Sequence, residues 1–141
     1  MRMNATDVID EMLREARTIA VVGMSDKPER ASFHVAAYLA RNGFRVLPVN
    51  PVLKRVKVGD AEVDCYPTIE AAYAVTPVDL VDVFRASDAV PGIVDEVLRL
   101  GIGYLWLQDG VMHEEAVARA EAAGVKCVQN DCILREHGAR A

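Results

Sequence analysis

Apolar positions along the chain follow two alternating rhythms. Short runs rich in β-branched residues cover 19–22, 45–49, 78–84, 104–107 and 126–128. They are too brief for helices and apolar enough for buried parallel strands. Between them the apolar residues recur at helical spacing. Val8, Ile9, Met12, Leu13 and Ala16 share one face, and so do Phe33, Ala36, Ala37, Leu39 and Ala40. Further helices are expected through Ile69, Ala71, Ala72 and Tyr73, over 89–100 and 113–123, and as a short final turn within 130–137.

The punctuation agrees with this reading. Thr6 or Asp7 is placed to cap a first helix ending at Arg17, Ser32 to cap the second, and Ser87 or Asp88 to cap the helix with Pro91 in its first turn. Pro67-Thr68 opens a short helix, and Asn42-Gly43, Gly101 and Gly124 supply stops. Pro48 marks an edge or an end of its strand. Residues 52–66 are the least regular, and Val56, Val58, Ala61 and Val63 around Gly59-Asp60 fit either a small hairpin or a loop. Strands alternating with helices predict an α/β fold: one three-layer, Rossmann-like domain over 1–141. Its five-stranded, mainly parallel sheet has helices on both faces.

Residues 18–42 are the unit the rest is arranged around. A strand stops at Gly23, a polar loop follows, and a helix begins near Ser32. That layout gathers backbone N–H groups and a positive helix end where a phosphate can sit; a plain connector is the other reading. Sheets of this kind bind ligands at the carboxyl ends of their strands. The chain's unusual polar residues fall there: Ser25 and its loop, Asn50-Pro51, Arg85 and Gln108. A purely structural domain has no need to collect them on one edge.

Composition narrows the partners. Of 141 residues, 52% are hydrophobic and 26% charged, as in an ordered globular protein. The net charge of −5 argues against a general nucleic-acid binder. A small polyanion can still be met locally, at Lys27 with Arg30 or at Lys54, Arg55 and Lys57, although the second group also reads as a solvated loop. Three cysteines, Cys65, Cys127 and Cys132, form no C-x-x-C pair and fit a reducing cytoplasm. The start, Met1-Arg2-Met3-Asn4, has no secretion signal behind it, and no apolar run reaches the roughly 18 residues of a membrane span. A soluble, cytoplasmic protein without membrane partners is expected.

The common nucleotide fingerprints are missing. Gly23 stands alone where a dinucleotide fold has G-x-G-x-x-G, the second strand ends in Asn50-Pro51 without an acid for a ribose, and no P-loop is present. No Ser-His-Asp set, metal cluster or carboxylate pair stands out. His34, His113 and His137 fit surface and helix-end positions, and Asp79, Asp82, Asp88 and Asp95 fit caps and surface. No catalytic residue and no metal ligand are assigned.

Several stretches taken together resemble the small stand-alone bacterial CoA-binding proteins, whose Rossmann-type domain also occurs in the succinyl-CoA synthetase alpha subunit. They are VVGMSDKPERASFHVAAYL from Val21, GFRVLPVNP from Gly43, VDLVDVFR from Val78, LWLQDGV from Leu105 and DCILREH from Asp131. The resemblance implies coenzyme A as the ligand. Gly23, Met24, Ser25, Asp26, Lys27, Pro28 and Arg30, with Ser32 at the helix start, would hold the phosphates. Val49, Asn50, Pro51 and Lys54 would flank the nucleotide, and Phe84, Arg85, Leu107 and Gln108 would line the rest of the path. Phe84 and Trp106 also read as core, and the Gln108 amide as a partner for loop backbone. Asp109 departs from the pattern, because many relatives carry an apolar residue there. Cys132 is placed to meet a pantetheine thiol. The larger synthetase works through a phosphorylated histidine on a further domain, so the expectation here is a small-molecule binding module without catalysis of its own. The alternatives are an NAD(P)-dependent oxidoreductase, a nucleotide-sensing regulatory subunit, or a protein that meets a partner or a second copy through a helix face.

Overall fold

The computed structural model describes residues 4–141; Met1, Arg2 and Met3, with which the expected lack of a secretion signal begins, lie outside them. The order of elements is α1 (Thr6–Glu15), β1 (Thr18–Val22), α2 (Ala31–Arg41), β2 (Arg45–Val49), β3 (Arg55–Val58), β4 (Ala61–Asp64), α3 (Ile69–Val75), β5 (Leu80–Val83), α4 (Val90–Leu100), β6 (Tyr104–Leu107), α5 (Glu114–Ala122), β7 (Lys126–Val128) and α6 (Ile133–Arg140). Five strands form one sheet in the order β2-β1-β5-β6-β7, and every pairing in it is parallel. The irregular stretch is a hairpin, with β3 and β4 antiparallel in a sheet of their own.

Alternation along each strand makes the three layers. Ala20 and Val22 of β1 face a core shared with α3, α4 and α5. Ile19 and Val21 face a second core shared with α1, α2, α6 and the hairpin's Val56 and Val58. A one-residue slip would exchange those faces, so burial on both sides fixes the register. Pro48 is tolerated because β2 is an edge strand. Beyond it Tyr66 closes part of that edge: its N–H donates to the Pro48 carbonyl at 2.9 Å, and its carbonyl accepts from Asn50 at 2.9 Å. Beyond β7 at the other edge, the Asn4 side-chain amide accepts from the Gln129 N–H at 3.0 Å and donates to the Gln129 carbonyl at 2.8 Å.

Several helix starts differ from the sequence expectation. α1 begins behind Ala5 with no side-chain cap and ends at Glu15, two residues before Arg17. α2 begins behind Arg30, which already has extended backbone, so Ser32 falls inside the first turn and caps nothing. Ser87 and Asp88 lie in a 3-10 turn that leads into α4, whose cap position is Ala89. Thr68 does cap α3, its hydroxyl oxygen accepting from Ala71 N–H at 3.0 Å. Of the four acids read as caps and surface, Asp79 caps the start of β1, accepting from Arg17 and Thr18 N–H at 2.9 Å each. Asp88 is exposed and Asp95 pairs with Arg119 on the surface. Asp82 is neither cap nor surface. It lies on β5 between Val21 and Trp106, fully buried, with both carboxyl oxygens unpartnered among the described residues. Burial pushes its pKa well above the usual carboxylate range.

Candidate functional site

The sheet reverses its strand order between β1 and β5, and ligands of such sheets bind outside the strand ends at that point. Two clefts open there. The first, of about 510 Å³, is lined by Gly23, Met24, Ser25, Asp26, Lys27, Arg30, Ala31 and Ser32 from β1 through the start of α2. Asn50, Val52 and Leu53 line it from the turn after β2, and Phe84, Gln108, Asp109 and Val111 from beyond β5 and β6. The second, of about 360 Å³, lies on the other side of the same edge and is lined by Val22, Gly23, Val49, Asn50, Pro51, Pro67, Thr68, Ile69, Arg85, Ile93 and Glu96. Gly23 and Asn50 belong to both and form the ridge between them.

Gly23 is required there by geometry. Its φ of +86° disfavours a side chain, and a Cβ would lie 3.2 Å from the Phe84 carbonyl carbon. The chain thus crosses from β1 tight against the end of β5. The loop beyond is held by its own polar groups. Ser25 N–H donates to the Ser32 hydroxyl oxygen at 3.1 Å, and Ser25 Oγ accepts from Lys27 N–H at 3.1 Å. Asn50 ties this loop to the next: its Nδ2 donates to the Met24 carbonyl at 2.8 Å, and its Oδ1 accepts from Val52 N–H at 2.8 Å. The amide therefore shapes both walls of the ridge.

The electrostatics of the first cleft come from what is left unpaired. α2 starts into it without a side-chain cap and without an acid in its first turn, so no group of that turn offsets its positive end. Lys27 and Arg30 are exposed and make no ion pair among the described residues. Val52, 82% exposed, and the half-buried Leu53 and Phe84 add an apolar lip. At the β6 end Gln108 is buried and its Oε1 accepts from Ile133 N–H at 3.1 Å, which serves the start of α6. Asp109 next to it receives both arms of the Arg135 guanidinium, at 2.8 and 3.0 Å, and that bond holds its carboxyl below the usual range.

Thirteen of the sixteen sequence candidates thus lie on these two clefts: Gly23, Met24, Ser25, Asp26, Lys27, Arg30, Ser32, Asn50, Phe84 and Gln108 on the first, and Val49, Pro51 and Arg85, with Gly23 and Asn50 again, on the second.

 The remaining three line neither cleft: Pro28 and Lys54 are exposed beyond the rims, and Leu107 is buried in the core. Arg55, grouped with Lys54 by the sequence, is held by Asp64 at 2.7 Å and Glu62 at 3.7 Å within the hairpin. Trp106 is core, its Nε1 donating to the Asp131 carbonyl at 2.9 Å. Cys132 is half-buried and lines neither cleft, and its basic neighbour Arg135 is engaged by Asp109 and Asp131. The histidines have structural partners: His113 Nδ1 accepts from Ala116 N–H at 3.1 Å as the cap of α5, His137 bonds Tyr38 at 2.8 Å, and His34 is exposed beside Phe33. Sequence reasoning missed Ala31, Val52, Leu53 and Val111 in the first cleft, noted Asp109 there only as a departure from the family pattern, and missed Val22, Pro67, Thr68, Ile69, Ile93 and Glu96 in the second. Val52-Leu53 carried a usable signal, an apolar pair in a polar turn at a strand's carboxyl end.

A parallel sheet with a polar, cation-bearing cleft at its switch point is the architecture of a nucleotide-type binding domain. Residues 17–138 match the CoA binding domain family, and the chain belongs to it. It is similar to the uncharacterized protein YneT of Bacillus subtilis, 33% identical over 129 residues, which is 92% of this chain and 91% of that protein. Among solved structures, a hypothetical protein from Pyrococcus horikoshii superposes with a TM-score of 0.85 at 31% identity, over 99% of this chain and 96% of that one. The dinucleotide forming acetyl-coenzyme A synthetase 1 of Ca. Korarchaeum cryptofilum, in complex with phosphate and ADP, superposes with a TM-score of 0.70 at 25% identity. That likeness covers 89% of this chain but only 28% of the synthetase.

Proposed function

We propose that this protein binds coenzyme A, free or as an acyl thioester, along the carboxyl edge of its sheet, and that it does so as a binding module without chemistry of its own. The observation that carries the reading is the first cleft: Lys27, Arg30 and the uncapped start of α2 converge on it, and an apolar lip adjoins them. Coenzyme A has the matching make-up, a diphosphate joined to a base on one side and a long, mostly uncharged arm on the other. The diphosphate would lie against the loop from Gly23 to Arg30, with Ser25 and Ser32 fixing the loop's shape. The nucleotide would lie toward Asn50, Pro51 and Lys54, and the arm toward Phe84 and Gln108. Membership of the CoA binding domain family supports the ligand class. The end of β2 favours coenzyme A over NAD, since it carries Asn50, whose amide is bonded to Met24 and Val52, and no carboxylate for ribose hydroxyls.

Calorimetric titration with coenzyme A tests this. A hydrogen bond to a charged group contributes roughly 1.5–3 kcal/mol, so each of Lys27→Ala and Arg30→Ala is expected to weaken binding by about tenfold. The loss should shrink as salt is raised, because both side chains are exposed. Titration curves unchanged in both variants would remove these side chains from the site.

A further inference from the structure

The first cleft is polarised along its length. At β1 it presents Lys27 and Arg30 with one acid, Asp26; at β6, two strand positions or roughly 10 Å away along the sheet, it presents Asp109. Asp109 is paired with Arg135, but Arg135 is shared: its guanidinium also holds Asp131 at 2.9 Å. Two carboxylates on one guanidinium leave this end with a net negative charge, in contrast to the positive end at the loop. The Asp109 side chain remains 57% exposed, so its field reaches whatever enters beside it.

We propose that Asp109 is a specificity-determining residue, which makes the cleft select free coenzyme A and thioesters of neutral acyl groups over thioesters whose acyl group ends in a carboxylate. The inference rests on the coenzyme A reading above. With the diphosphate at the Lys27–Arg30 loop and the nucleotide toward β2, the arm and its acyl group run toward β6. A terminal carboxylate there meets the uncompensated charge of the Asp109–Arg135–Asp131 group, whereas a neutral acyl group does not. Gln108 and Val111, which flank Asp109 in the cleft wall, supply no cation to offset it.

The test is a pair of thioesters equal in chain length, butyryl-CoA and succinyl-CoA, titrated into the full chain beside free coenzyme A. The wild type should bind butyryl-CoA more tightly by about threefold to tenfold, the size of a partly screened charge–charge contact. An apolar wall alone could produce some of that preference, so the variants decide its cause. In Asp109→Asn the ratio should fall toward one. In Arg135→Gln, where Asp109 keeps its charge and loses its partner, the ratio should rise. Both positions are exposed, and a thermal melt of each variant confirms the fold. Equal affinities in the wild type, a ratio unmoved by Asp109→Asn, or a ratio lowered by Arg135→Gln would each overturn the inference. Failure of all three ligands to bind the wild type would instead overturn the coenzyme A reading itself, while tight binding of free coenzyme A without discrimination leaves that reading standing.

Discussion

Asp82 shows most clearly how one residue can be misread from its neighbours. In the sequence it belongs to an alternating strand with other acids nearby, and a surface position fits. The structure puts it on a central strand with no partner for either oxygen among the described residues. Composition does not reveal this, because burial depends on which helices cover that face. The consequence is a pH dependence with a definite sign. The buried carboxyl holds its proton more tightly than the unfolded chain does, whose value is near 3.8. Below that pH both states are protonated and Asp82 contributes no difference. Above it the unfolded chain releases the proton first, so stability falls as pH rises, by at most about 1.4 kcal/mol per pH unit, until the folded-state pKa is passed. Asp82→Asn removes the titration, and its melting temperature should decline less than the wild type's as pH is raised from about 4 to 7. Parallel melting curves for the two proteins would show that Asp82 is not the source.

Among elements, the strands were legible, and so was the start of α3 at Thr68, whereas the starts of α1, α2 and α4 were not. β1, β2, β5, β6 and β7 of the main sheet send buried or half-buried residues into both cores, so their apolar runs stand out against polar loops. Helix caps are local choices among neighbouring Ser, Thr and Asp, and backbone alone can serve. Ser32 illustrates this: starting the helix at Ala31 turns an expected cap into the acceptor that fixes Ser25. The hairpin stayed open in the sequence because Gly59-Asp60 suits a turn of either kind, whereas the pairing of Val56 with Val63 settles it. The turn after β2 shows the same limit at the site. The sequence marks Asn50 by its amide at a strand end, but both amide atoms work inside the protein, bonding Met24 and Val52. Asn50→Ala should therefore loosen two loops at once. Each bond contributes roughly 0.5–1.5 kcal/mol, so a stability loss of about 1–3 kcal/mol in denaturant unfolding is expected. Faster amide exchange at Val52 should accompany it, and unchanged exchange there would contradict the role.

For the whole molecule, the fold sets Lys27 and Arg30, which make no ion pair among the described residues, where the sheet changes direction, although the chain as a whole carries a charge of −5. Elsewhere on the surface Arg55, Arg99, Arg119, Lys126, Arg135 and Arg140 are paired with carboxylates. Among the described residues no helix is long and apolar enough to cross a membrane. The sequence pointed to the right edge of the sheet because strand ends are readable, but the cleft walls are assembled from loops distant in the chain. Val52 and Val111 meet across it only once β2 and β6 are in place.

Thermal unfolding with added ligand tests the central claim most directly. A ligand that binds only the folded protein stabilises it by about 2.7 kcal/mol at a hundredfold excess over its dissociation constant. For a domain of this size that corresponds to a rise in melting temperature of about 5–15 °C. Coenzyme A should produce such a rise. Coenzyme A lacking its 3′-phosphate should produce a smaller one, with Lys54 exposed beside the turn that would receive that phosphate. NAD should produce little, for want of a carboxylate at the end of β2, and NADP little as well, because Gly23 stands alone where both cofactors need the G-x-G-x-x-G turn. An equal shift with NAD and with coenzyme A, or no shift with coenzyme A at saturating concentration, would contradict the account.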